Sequence, residues 1–193
     1  MRSRQLGRTG LTVSELGFGG APAGLTNYLG TWDAASDAAG EQIVQTVRRA
    51  AELGVTYFDS APGYGKGRGE ELLGRGLRGH RQHVTVATKV TGDDADAILR
   101  SVEASLKRLD VDQIDVLQYH GTWYSEELVE RMLAPGGALA GLQRARAAGL
   151  VRFIGFTTEG VNGPASTLLR TDAFDVLQIC YNLIFQHPYD PIR

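Results

Sequence analysis

The interval between three polar residues constrains this chain more than any other feature. Asp59 follows the apolar run VTYF, Lys89 follows VTVAT, and His120 follows IDVLQY, at successive intervals of 30 and 31 residues. One βα unit has about that length. Between these runs the apolar residues recur at helical spacing, most clearly Ile98, Leu99, Val102, Leu106 and Leu109. Strands alternating with helices form parallel sheets with right-handed crossovers, as a doubly wound sheet or a (β/α)8 barrel. Matching polar strand ends at a constant interval favour the barrel, whose chemistry gathers at the C-terminal ends of its strands.

The remaining segments fit this scheme. Residues 4–6 and 11–13 are strand-like and flank the turn sequence GRTG, which predicts an N-terminal β-hairpin. Residues 14–20 are expected to form the first buried strand, 21–39 a long connection, and 41–54 a helix closed by Gly54. Strands are expected at 55–60, 83–90, 114–120, 153–157 and 175–181, with helices at 70–77, after Asp93 or Asp94, after Ser125, at 139–148 and after Pro164. The tail HPYDPIR reads as loop. These are about six barrel strands, whereas a complete barrel takes about 250 residues. The expected fold is therefore one domain over residues 1–193: an N-terminal hairpin and a (β/α)8 TIM barrel truncated after about six βα units. An open barrel leaves two strand edges unpaired, so completion by a partner chain is the second explanation.

Several functions are disfavoured. A net charge of -2, from 20 basic and 22 acidic residues, offers no basic face for nucleic acid. No apolar run is long enough to cross a bilayer, and no signal-like segment follows the N-terminal arginines, so a cytoplasmic protein without a membrane partner is expected. The single cysteine, Cys180, stands in an apolar segment and is expected to be a buried structural thiol in a reducing compartment. In the loop PGYGKGRGEE, G-x-G-x-x-G fails because Arg68 or Glu70 occupies the third glycine position, and a Walker pattern fails at Ser60. His80 and His83 have no cysteine or carboxylate cluster beside them, so no metal site is expected.

The group Asp59, Tyr64, Lys89 and His120 carries more chemistry. A free tyrosine ionises near pH 10, and a neighbouring ammonium lowers that value. Lys89 is expected to do so for Tyr64, Asp59 to hold Lys89, and His120 to orient a substrate oxygen. A tuned acid beside a carbonyl suits hydride transfer from a cofactor. A lyase using Lys89 as Schiff-base nucleophile is the alternative chemistry, but the Asp59 carboxylate keeps the amine protonated.

Taken in order, LGRTGLTVSELGFGG, FDSAPGYG with EELLGRGL, VTVATK, IDVLQYH, GLVRFIGF and VLQICYNL make the chain resemble the aldo-keto reductase family over nearly its whole length. The resemblance implies that Asp59, Tyr64, Lys89 and His120 are the catalytic tetrad, with Tyr64 as proton donor. It further implies NADPH, or less often NADH, bound at the mouth of the barrel, and a small carbonyl compound as substrate. Gly20, Asp59, Thr157, Thr158 and Gln178 are the implied cofactor-facing residues. The family commonly has Ser-Asn where this chain has Thr157-Thr158, so one hydroxyl is kept and one amide is lost. The seventh and eighth units, which bring a ring for nicotinamide and a site for the adenosine phosphate, are not found. A chain lacking them is alternatively a cofactor-sensing or interaction module that turns over poorly. Trp32 and Trp123, in loops after strands, either line a substrate pocket or cap the barrel.

Overall fold

The computed structural model describes residues 1–28, 30–160 and 163–186. Strands β1 (Ser3–Gln5) and β2 (Thr12–Ser14) form the antiparallel hairpin, paired Ser3 to Ser14. The barrel sheet has six parallel strands in chain order: β3 (Phe18–Gly19), β4 (Tyr57–Asp59), β5 (Thr85–Val90), β6 (Ile114–Tyr119), β7 (Val151–Thr158) and β8 (Val176–Ile179). Helices α1 (Ala21–Gly24), α2 (Asp37–Glu52), α3 (Arg68–Leu77), α4 (Ala95–Leu109), α5 (Glu126–Leu133), α6 (Ala138–Ala147) and α7 (Gly163–Arg170) connect them. Every residue of β5 and β6 is buried, as befits parallel strands covered on both faces. Phe58, Ile98, Val102, Leu117, Ile154 and Phe156 are among the fully buried side chains of the core.

Local signals explain the helix starts. The Ser36, Asp94 and Ser125 side chains accept hydrogen bonds from the N–H groups of Ala39, Ala97 and Leu128, capping α2, α4 and α5. The cap at Ser36, with Asp37 in the first turn, starts α2 before Glu41 and shortens the expected connection. That connection also holds α1, favoured by Pro22 in its first turn. The first barrel strand is only Phe18–Gly19, shorter than residues 14–20, because Ser14 is already paired in the hairpin.

The hairpin is tied to the bottom of the sheet at both sides. Ser14 exchanges two hydrogen bonds with Thr56, at 2.7 and 2.8 Å, just before β4. In the hairpin turn, Arg8 donates to Asp172 O at 2.9 Å and Phe174 O at 2.7 Å, in the segment that leads to β8.

Among the described residues, strands β3 and β8 each pair on one side only. This corrects the expectation for Cys180: the thiol is exposed, because it follows an edge strand rather than a central one. Gln178, expected on a buried strand, is exposed for the same reason. The tail 187–193 lies outside the described residues.

Candidate functional site

The C-terminal ends of the strands converge on a cavity of about 460 Å³. Tyr64, Lys89, His120, Thr157, Thr158 and Gln178 all line it. Asp59 sits beneath them, buried, and reaches the cavity through Lys89. Gly20 does not line the cavity; its N–H donates to Asp59 O at 2.7 Å, and a Cβ there would lie 2.8 Å from the same oxygen. It is a close-approach glycine that lets β3 run against β4.

Strand register brings the polar groups together. Asp59 pairs with Ala87, and Lys89 pairs with Gln118, so Lys89 lies one inward-facing step beyond Asp59 on the neighbouring strand. The Lys89 ammonium donates to Asp59 Oδ2 at 2.5 Å and to Ser60 O at 2.7 Å, with its side chain only 3% exposed. A buried ammonium requires this pairing. Burial raises the Asp59 carboxyl above its ordinary value, while the Lys89 charge and hydrogen bonds from Lys89 and Gln178 oppose that rise.

Tyr64 stands on the loop between β4 and α3. Its N–H donates to Ala61 O at 3.1 Å, and its carbonyl accepts from Gly69 N–H at 3.0 Å. Lys66 and Gly67 hold left-handed φ values of 56° and 96°. A side chain at Gly24 would run into the Tyr64 carbonyl, so α1 and the loop meet backbone to backbone. At the far end of the loop the fully buried Glu70 accepts from Thr88 Oγ1 and from Arg108 Nε, each at 2.6 Å. Thr88 is the residue before Lys89, so the loop and β5 share an anchor.

The Tyr64 hydroxyl departs from expectation. It is pushed up to about 12, first by burial and then by the charge of Asp59 and by Tyr28. Lys89 does not lower it, because the ammonium is committed to Asp59 and Ser60 and lies 5.2 Å from the centre of the tyrosine ring, over its face. His120 meets the same ring edge-on, centroids 6.0 Å apart at 87°. Burial, then Lys89, lowers its imidazole below 6.5, which leaves it neutral at neutral pH.

Several lining residues escaped the sequence reading. Tyr28, Glu159, Ile179 and Phe185 are among the other lining residues. Gln118, fully buried on β6, donates to Gln178 Oε1 at 3.0 Å and lies 3.4 Å from Asp59 Oδ1. Its position two residues before His120, on the same face of a strand, was the available signal. Trp123 lines the cavity, whereas Trp32 is turned away and donates its indole N–H to Pro22 O at 3.1 Å. Among the described residues no group of three or more His, Cys, Asp or Glu is placed to hold a metal, and no helix is long and apolar enough to cross a membrane.

A parallel barrel sheet with a lysine–carboxylate pair, a tyrosine and a histidine at its C-terminal mouth defines an α/β barrel protein that carries a polar, proton-bearing pocket. The chain belongs to the aldo/keto reductase family, whose model matches residues 26–191. It is 34% identical over 163 residues to L-galactose dehydrogenase of Arabidopsis thaliana, covering 80% of this chain and 47% of that protein. It is 32% identical over 199 residues to pyridoxal 4-dehydrogenase of Microbacterium luteolum, covering 82% and 55%. Among solved structures, the thermostable aldo-keto reductase Tm1743 in complex with the inhibitor epalrestat superposes with a TM-score of 0.78 at 27% identity, over 98% of this chain and 66% of that one. An aldo/keto reductase of Klebsiella pneumoniae, solved with NADP and acetate, gives 0.68 at 26% identity, over 93% and 58%. The chain spans about half the length of the curated relatives it matches. Its six-stranded curled sheet corresponds to part of their (β/α)8 barrel.

Proposed function

We propose that this chain carries the proton-transfer half of a carbonyl reductase site, reducing aldehydes or ketones with a nicotinamide cofactor, NADPH in the first instance. The observation that carries this reading is the convergence of Tyr64, Lys89 and His120 on one cavity, with Asp59 behind Lys89. A cavity of this size fits a nicotinamide ring and a small carbonyl compound. The described residue that would hold the nicotinamide amide is Gln178, on β8 at the cavity wall. The cofactor, when bound, supplies the hydride.

Tyr64, whose hydroxyl is held up to about 12, keeps its proton at neutral pH. That is the form required to protonate a carbonyl oxygen as the carbon is reduced. His120, neutral and edge-on to Tyr64, offers a ring nitrogen to the same oxygen and aligns it. The Lys89 ammonium lies over the face of the Tyr64 ring, 5.2 Å from its centre, and this cation–π contact holds the ring in place at the cavity. Two of the three ammonium protons are committed to Asp59 and Ser60, which disfavours Lys89 as a Schiff-base nucleophile.

The test is NADPH oxidation across a panel of aldehydes by the wild type and Tyr64→Phe. Turnover is expected to fall by about 10²–10⁴ in Tyr64→Phe while NADPH affinity stays close to that of the wild type. Retained turnover in Tyr64→Phe would sink the assignment. A second reading, a site-bearing module that turns over poorly, is favoured by the bare edges of β3 and β8. Failure of the wild type to bind NADPH in a fluorescence titration would select it.

A further inference from the structure

The end of β7 and the loop after β6 are laced together by hydrogen bonds that need no ligand to complete them. The Thr157 hydroxyl donates to Gly121 O at 2.7 Å and accepts from Gly121 N–H at 3.0 Å. The Thr158 hydroxyl lies 2.9 Å from Thr122 O and 2.7 Å from Gly160 O, and it accepts from Gly160 N–H at 3.3 Å. Glu159 N–H donates to Thr122 O at 2.9 Å, and the Tyr124 hydroxyl donates to Thr157 O at 3.0 Å. Both threonines are buried.

A hydroxyl has one proton to give. Each of these protons has a backbone acceptor inside the protein, and each hydroxyl oxygen already accepts one backbone N–H. The second lone pair of each oxygen remains open to an N–H donor, but for either threonine to donate to the carbonyl of a nicotinamide amide its proton must leave a backbone acceptor. Gly121, gripped from both its N–H and its carbonyl, is the residue immediately after His120. On the other side, His120 N–H donates to Val90 O at 2.8 Å. The histidine backbone is therefore held at both flanks, against β5 and against β7. The same lacing presses the Trp123 indole onto Gly160, where a Cβ would lie 2.6 Å from Cη2 and 2.7 Å from Cζ3.

We infer that Thr157 and Thr158 are positioning residues that set His120 and Trp123 in the cavity, their hydroxyl protons spent on the backbone of the neighbouring loop rather than on the nicotinamide amide. The inference rests on the proposed function only for what His120 does; the interlock itself is independent of it. Thr157 and Thr158 form a clamp between the end of β7 and the loop after β6, and Gln178 remains to meet the amide.

The experiment compares Thr157→Val, which removes the hydroxyl and keeps the branched shape, with Thr157→Ser, which keeps the hydroxyl. On the 193-residue chain, amide exchange is followed at Gly121–Trp123, and the His120 ring is titrated by NMR, its signal assigned with His120→Asn. Thr157→Val is expected to speed exchange in this loop about tenfold, the effect of losing hydrogen bonds of ordinary strength. It also moves the His120 midpoint upward toward 6.5 as the ring gains water beside Lys89 and Tyr64. Thr157→Ser restores both readings. In parallel, NADPH affinity by fluorescence stays within about twofold in Thr157→Val. Unchanged exchange and an unchanged His120 midpoint, or an NADPH affinity weakened about tenfold or more, would overturn the inference. A wild type that binds no NADPH defeats the proposed function, while the exchange and titration still decide the clamp. If Thr157→Val loses its native spectrum, Thr158→Val carries the same comparison through Thr122.

Discussion

Replacing Asp59 by asparagine isolates the electrostatic cost of burying Lys89. The ammonium is 3% exposed, and its contacts are the Asp59 carboxylate at 2.5 Å and Ser60 O at 2.7 Å. Asp59→Asn keeps the shape and removes the charge, leaving a buried cation with only neutral partners: Ser60 O, the amide oxygen of the new side chain and the face of the Tyr64 ring. Breaking such a pair from one side costs about 3–5 kcal/mol, a large share of a total stability of about 5–15 kcal/mol. For a chain of this length that corresponds to a melting temperature lower by about 6–20 °C. Removing the cation as well, in Asp59→Asn with Lys89→Met, takes away the unpaired charge, and the double variant is expected to be more stable than Asp59→Asn alone by about 2 kcal/mol. Urea unfolding of the four members of the cycle measures both quantities, provided the denaturant slope stays constant. A loss below about 1 kcal/mol in Asp59→Asn, or a double variant no more stable than it, would show that the buried cation is not held by this pair.

Two further outcomes follow from the geometry. Because His120 is held below its ordinary 6.5 in the folded state, the unfolded chain binds more protons between those two values, so stability should rise with pH across that window and His120→Asn should flatten that part of the profile; an unchanged slope in the variant would refute it. Gly24→Ala puts a methyl against the Tyr64 carbonyl and should cost about 1–3 kcal/mol, read as a thermal shift, whereas an unshifted melt would show that α1 and the tyrosine loop part easily.

The strand ends were legible because each is governed by a short local pattern: an apolar run, a polar terminus and a following turn. Asp59, Lys89 and His120 fell to that logic, and their common interval placed them at one end of a barrel. The chemistry of Tyr64 was not legible. Its direction of shift depends on whether Lys89 points at the hydroxyl or at the ring face, which is decided by the bonds to Asp59 and Ser60. Nor was the task of Thr157, whose partner Gly121 lies 36 residues away in the loop after β6. Tyr28 reaches the cavity because Asn27 and Trp32 exchange hydrogen bonds that fold a polar loop back, an arrangement with no periodic signature. Cys180 was misread because an apolar strand pattern does not reveal which strand ends at an edge.

The hairpin beneath the sheet has a mechanical consequence. One arm is pinned next to β4 through Ser14 and Thr56, while Arg8 grips the approach to β8. The hairpin thereby links β4, the second strand of the sheet, to the segment that leads to β8, the last, as a crossbar holds two points of a bent spring. Flattening the sheet would draw Arg8 away from Asp172 and Phe174. The curvature that gathers Asp59, Lys89 and His120 around one mouth is thus maintained from the opposite rim, by residues that never approach the cavity.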